Sequence, residues 1–184
     1  MGGFYVSYTI QSKDEETLRR TLAGREAAYA KVGNFILLGD RESDNQDGDV
    51  IMKLSEQISR SLNTAVLAVM NHDDDILLYW LYRGGHLLDS YDSAPDYFKE
   101  TSEPSNPIGG DSNVLCEVFG SDQIKNVEVV LREKFDGKFV FASERHSEIV
   151  RLINLPPVSV GFSSGVLDGY LPDGLEENLV NRIE

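Results

Sequence analysis

Cysteine is nearly absent from this chain, with Cys116 standing alone among 184 residues. A single thiol allows no internal disulfide framework and no multi-cysteine zinc site, and it suits a reducing compartment. Basic residues are scarce too, at 17 Lys and Arg against 31 Asp and Glu, for a formal net charge of −14. Such a surface repels nucleic-acid phosphates and anionic lipid heads, so neither nucleic acid nor membrane is an expected partner. No apolar run reaches the ~20 residues a bilayer span needs, and the start, Met1-Gly2-Gly3-Phe4-Tyr5, lacks the basic stretch and apolar core of a signal peptide. The expected location is the cytoplasm. What an acidic chain does favour is solubility or a basic protein partner, found by electrostatic steering.

The residues that remain are arranged with clear periodicity. Phe4 to Ile10 alternates as a strand, with Phe4, Val6 and Tyr8 on one face and Tyr5, Ser7 and Thr9 on the other. Ser12 to Glu15 has capping-box spacing, predicting a short helix through Leu18 and Leu22 that Gly24 ends. Ala27 to Val32 and Phe35 to Leu38, joined at Gly33-Asn34, read as a hairpin, and Asp40 to Asp49 as a charged loop. Ile51, Leu54, Ile58 and Leu62 recur at helical spacing, Asn63 closes that helix, and Thr64 to Met70 is a strand. Strand, helix, hairpin, helix, strand is the order of a ferredoxin-like βαββαβ unit. A further hairpin, Ile76 to Tyr82 and Leu87 to Tyr91 about a Gly84-Gly85 turn, extends it to a predicted α+β fold with a mostly antiparallel sheet of about five to six strands.

"AVLAVM" (65 to 70) and "ILLYWLY" (76 to 82) are apolar on both faces, whereas a sheet with one wet face alternates. The second face therefore needs a cover. Three helical stripes supply it: Val114, Leu115, Val118 and Phe119, then Ile124, Val127, Val130 and Leu131, then Ile149, Leu152 and Ile153. The expectation is one three-layer domain over 1–184, made of a sheet half (1–92), a long loop (93–110) that Tyr97-Phe98 pins at one end to the core, and a mainly helical half (111–184).

Motifs that could carry chemistry fail on their surroundings. Gly161-Phe162-Ser163-Ser164-Gly165 matches the G-x-S-x-G nucleophile elbow, but His72, His86 and His146 all precede Ser163 and no helix follows. It reads instead as a turn between two short strands. Cys116 on a helix beside Leu115 reads as a small buried hydrophobe, and His146 as a polar surface residue near a helix start, where the charged imidazole is disfavoured. Asp44 to Asp49 fails as a calcium loop, since the register that puts Gly48 at the sharp turn places Ser43 first and Leu54 last. Its acids read as caps and dipole partners of the following helix. Gly109-Gly110 precedes a helix, but Asp111 at the cap repels an anion. No cofactor is expected.

One location stands out. If Gly84-Gly85 is a two-residue turn, Arg83 faces His86, Trp80 faces Asp89, Leu78 faces Tyr91 and Leu77 faces Asp92. His86 then lies at the glycine end and His72 at the aspartate end, about 25 Å apart at ~3.3 Å per residue, so the two cannot share a metal. Asp92 and, in the following loop, Asp96 join Asp73, Asp74 and Asp75 with His72 at one acidic corner. That corner could receive a Lys/Arg-rich partner surface, bind a hard divalent cation, or be a turn kept soluble by its charges.

"AVMNHDDDILLYWLYRGGHLLDSYDSAPDYF", "GGDSNVLCEVFG" and "FASERHSEIVRLINLPP" resemble a group of acidic, largely bacterial proteins of unknown function, over much of the chain. The resemblance implies no activity and carries over no functional residue. The leading expectation is a cytoplasmic binding or regulatory module that neutralises a basic protein, as toxin-immunity proteins do. The rivals are a divalent-metal enzyme at the acidic corner and a structural subunit of an oligomer.

Overall fold

The computed structural model describes residues 3–97, 99, 106–134 and 138–183. Its first part has the expected order: β1 (Tyr5–Ile10), α1 (Glu15–Thr21), β2 (Ala27–Val32), β3 (Phe35–Asp40), α2 (Gly48–Ser61) and β4 (Ala65–His72). These four strands lie side by side as β4-β1-β3-β2, the arrangement in which a split β-α-β unit closes. Local sequence explains the ends. Gly33 takes the positive φ of the β2–β3 turn, and Asp47 caps α2 by accepting from the Asp49 amide at 2.9 Å. The cap of α1 is Asp14, not Ser12: Asp14 accepts from the Thr17 amide at 2.9 Å, while Ser12 bonds the Asp14 amide and only shapes the approach.

The sheet is larger than the five to six strands expected. Among the described residues eight strands run in the order β7-β6-β5-β4-β1-β3-β2-β8, and every pairing among them is antiparallel. Beside β5 (Ile76–Arg83) and β6 (His86–Asp92), the additions are β7 (Ile108–Gly109) on β6 and β8 (Val180–Ile183) on β2. Strands this short carry no alternation to read, which is why periodicity misses them.

Gly84 and Gly85 both take positive φ, as a primed two-residue turn requires, and Arg83 faces His86. Beyond that pair the register differs from the sequence reading. A bulge at Leu87/Leu88 sets Leu81 opposite Asp89, Trp80 opposite Ser90, Tyr79 opposite Tyr91 and Leu78 opposite Asp92. An extra residue on one strand of a pair moves everything after it to the other face, so Asp92 shares a face with Leu78 rather than Leu77.

Both faces of the central strands are covered. On one, α1 and α2 pack Leu18, Leu22, Ile51, Leu54 and Ile58 onto Val6, Tyr8, Ile10, Ile36, Val66 and Ala68. On the other, α3 (Ser112–Phe119), α4 (Ile124–Arg132) and α5 (Ala142–Leu152) close over Leu67, Val69, Leu77, Tyr79, Leu81 and Tyr91, as the doubly apolar strands demand. Cys116 is buried in that layer, and burial pushes its thiol up. Each large side chain so enclosed contributes about 1.5–3 kcal/mol. After α5 the chain runs as 3-10 turns at Pro157–Ser159, Ser164–Asp168 and Glu177–Leu179 that pack Phe162, Val166 and Leu175 onto β2 and β3. Residues 161–165 thus link two 3-10 turns, the second opening at Ser164, and not two strands. Gly39 is what lets that segment approach, since a Cβ there would lie 2.1 Å from the Ser163 carbonyl carbon.

Candidate functional site

The β4–β5 turn spans Asp73, Asp74 and Asp75, because His72 still pairs with Ile76. Asp73 and Asp74 sit at φ 53° and 61°, the left-handed region that Asp tolerates better than most residues. The three carboxylates then part company. Asp73 is exposed. Asp74 is tied into the fold: its Oδ1 accepts from Asn71 Nδ2 at 2.9 Å and from the Ser143 amide at 2.8 Å, and its carbonyl accepts from the Ala142 amide at 2.7 Å. It therefore caps α5 from 69 residues away, at a helix whose own cap position, Phe141, has no acceptor. Asp75 accepts from the Tyr97 hydroxyl at 2.8 Å.

His72 joins the turn from the other side, with Nδ1 2.5 Å from Gln46 Oε1 and its ring edge-on to those of Phe4 and Tyr97. The segment after β6 folds back toward this turn. Ser93 bonds both ways with the Leu77 backbone, and Tyr97 reaches Asp75. Tyr97 thus ties the loop to the β4–β5 turn at the surface and not to the core, while Phe98 lies outside the described residues. Asp92 Oδ1 accepts the Ala94 amide at 2.9 Å, and burial pushes its carboxyl above the ordinary value. Asp96 pairs with Lys99 at 2.6 Å.

The corner is therefore two neighbouring groups, Asp73 and Asp75 with His72 and Tyr97, and Asp92 with Asp96 and Lys99. They do not share a focus. Among the described residues no three His, Cys, Asp or Glu side chains are placed to hold a metal ion. What the arrangement can do is present carboxylates to cationic groups arriving from outside.

Three buried polar groups escaped the sequence reading. His146 is not a surface residue: it is 2% exposed, its Nδ1 lies 2.8 Å from the Tyr5 hydroxyl, and burial drives its pKa down to about 3, keeping it neutral. The signal was available, since Ala142, His146, Ile149 and Ile153 continue one helical stripe. Arg145, also buried, donates to the Tyr91 hydroxyl at 2.9 Å and to the Val130 and Glu133 carbonyls at 2.7 Å each. The region 40–49 is not a plain loop either. Asp44 accepts from the Val6 amide and from Ser164, stitching β1 to the later 3-10 segment, and burial raises its carboxyl. Tyr8 meets Ser43, which donates to Asp40, which takes two bonds of 2.7 Å from Arg25. Burial opposes the Asp40 charge, but Arg25 and Ser43 hold its carboxyl below the ordinary range. These groups are spent on one another and tie elements together.

The outer strands are different. On the side that carries α2, the sheet beyond β5 has little cover among the described residues: Leu87 is 48% exposed and Ile108 56%, with Trp80 and Leu78 half-buried. Between them lies a shallow cleft of about 160 Å³, lined by Leu78, Trp80, Ser90, Asp92, Ile108 and Gly109. Register places Asp92 here, so one member of the acidic corner opens onto an apolar surface. No family model, curated protein or solved structure matches the chain. Among the described residues no helix is long and apolar enough to cross a membrane.

Proposed function

We propose that this protein is a binding module that holds a basic protein partner in the cytoplasm, regulating or neutralising it as immunity proteins do. The observation that carries the reading is the outer face of β5 to β7, where an apolar strip left uncovered among the described residues runs into the Asp92 carboxylate, at the sheet end that also holds the Asp73–Asp75 turn and Asp96. Contiguous exposed apolar surface marks interaction sites, and carboxylates at its rim select a cationic partner and speed the encounter. The net charge of −14 acts in the same direction. His146, Tyr5, Tyr8 and Ser43 are buried, away from such a partner.

Co-purification from the native host at low and high salt tests this, comparing the wild type with Asp73→Asn/Asp75→Asn/Asp96→Asn. Asp74 is left intact because it caps α5. The expected result is a basic protein retained at about 50 mM salt, released at about 0.5 M, and lost from the triple variant, because attraction between exposed charges is screened. The same retained proteins in wild type and variant, or none at either salt, would overturn the reading.

A further inference from the structure

We propose that the cleft between β5, β6 and β7 receives one arginine side chain of the basic partner, stacked on Trp80 and paired with Asp92. The proposal rests on the binding-module reading and supplies its recognition chemistry. The cleft has the composition that an arginine needs and a free apolar ligand does not. Leu78 and Ile108 offer an apolar wall to the side chain's methylenes, the half-buried indole offers a flat face to a guanidinium, and a carboxylate stands at the end.

Asp92 is placed for such a partner. Its Oδ1 is taken by the Ala94 amide, whereas Oδ2 has no hydrogen-bond partner among the described residues. The nearby cation, Lys99, is engaged by Asp96. Burial makes the Asp92 charge costly as it stands, and a guanidinium would relieve that cost with a charge-assisted bond. The backbone builds the cleft floor: Gly109 sits at φ 67°, and a Cβ there would fall 2.0 Å from the Ser90 carbonyl oxygen, so only glycine brings β7 this close to β6. At the far side, the start of α2, with Asp47 and Asp49 on either side of Gly48, lies beside Trp80, since a Cβ on Gly48 would lie 3.8 Å from the indole. A second copy of this chain, itself at −14, is repelled from these carboxylates. Arginine is favoured over lysine because its planar fork can stack and hydrogen-bond at once.

Trp80 is the only tryptophan, so its fluorescence reports the cleft directly. The test titrates Nα-acetyl-arginine methylamide, its lysine and norleucine counterparts, and free L-arginine into the wild type, Asp92→Asn, Ile108→Arg and Asp173→Asn. Expected is a saturable change for the arginine amide with a Kd of about 1–10 mM, weakened roughly tenfold by Asp92→Asn. Ile108→Arg, which fills the cleft with its own cation, should abolish it, and Asp173→Asn, an exposed acid in a different segment, should leave it intact. The lysine amide should bind several-fold more weakly and the norleucine amide not at all. No saturable change, a change insensitive to Asp92→Asn, tighter binding of free L-arginine, or self-association that shields Trp80 would each overturn the proposal. Failure here beside intact salt-sensitive co-purification removes the arginine cleft alone, whereas a saturable titration beside failed co-purification removes the module reading.

Discussion

The two faces of the sheet are finished to different degrees. Under α3 to α5, several buried polar groups are matched, although Ser7 Oγ and Asn71 Oδ1 are not: the Tyr79 hydroxyl donates to Asp89 at 2.6 Å, Asp89 also takes the Asp111 amide, and the Tyr91 hydroxyl donates to the Leu131 carbonyl while accepting from Arg145. The opposite face is closed by α1 and α2 over the inner strands and, among the described residues, left open over β6 and β7. Leu81 is fully buried, yet in the neighbouring strand Leu87 is half exposed. A stable fold needs one continuous core, and this one obtains it from the inner strands and the carboxy-terminal layer. The open strip is therefore available for contact with something else.

The sharpest way to break that comparison is to truncate one leucine on each face. Leu81→Ala leaves a cavity in a packed layer and is expected to cost 2–5 kcal/mol by urea unfolding. A cost under about 1 kcal/mol would mean that the carboxy-terminal layer is not firmly packed on β5. The buried histidine gives the next effect. Its folded pKa of about 3 lies below the ordinary ~6.5, so below pH 6.5 the unfolded chain takes up a proton that the native one does not. Stability is then present above pH 6.5 and falls as the pH drops, by ~1.4 kcal/mol per unit, or about 2 kcal/mol between pH 6.5 and 5. His146→Gln should flatten that slope, and an unaltered slope would place the acid sensitivity elsewhere. The smallest effect belongs to the open face. Leu87→Ala and Ile108→Ser should each change stability by less than about 0.5 kcal/mol, and a larger loss would show that this strip is already covered.

Sequence reading recovered the elements whose signals are local or periodic. The βαββαβ start, the Gly84-Gly85 turn, the three helical stripes and the need for a second covering layer all follow from spacing and from strands apolar on both sides. It did less well wherever one residue or a distant partner decides. The bulge at Leu87/Leu88 leaves no mark in composition, yet it reversed which β5 residues face Asp89 and Asp92. Asp74 looked like one of three equivalent turn acids until Ala142 and Ser143 came to rest on it. Asp44 looked like a helix cap, but its partners, Val6 and Ser164, lie 38 and 120 residues away. His146 was misplaced for another reason: a polar residue near a helix start was read as exposed, although its spacing to Ile149 and Ile153 put it on the inward stripe. For the acidic corner, adjacency was legible and convergence was not, because it depends on backbone angles at Asp73 and Asp74.

Leu88, the residue that the bulge accommodates, also decides which face the end of the hairpin presents. If the same hairpin closed its glycine turn as an unbroken ladder, with Leu88 paired and not bulged, Asp92 would come opposite Leu77 and leave the face that carries Trp80. The cleft would lose its carboxylate with every amino acid that lines it still encoded. Loss of the bulge is therefore expected to act on recognition as strongly as a change of charge, whereas a hairpin shortened by Leu88 alone would keep Asp92 opposite Leu78, and a comparison based on residue identity alone would overlook the difference.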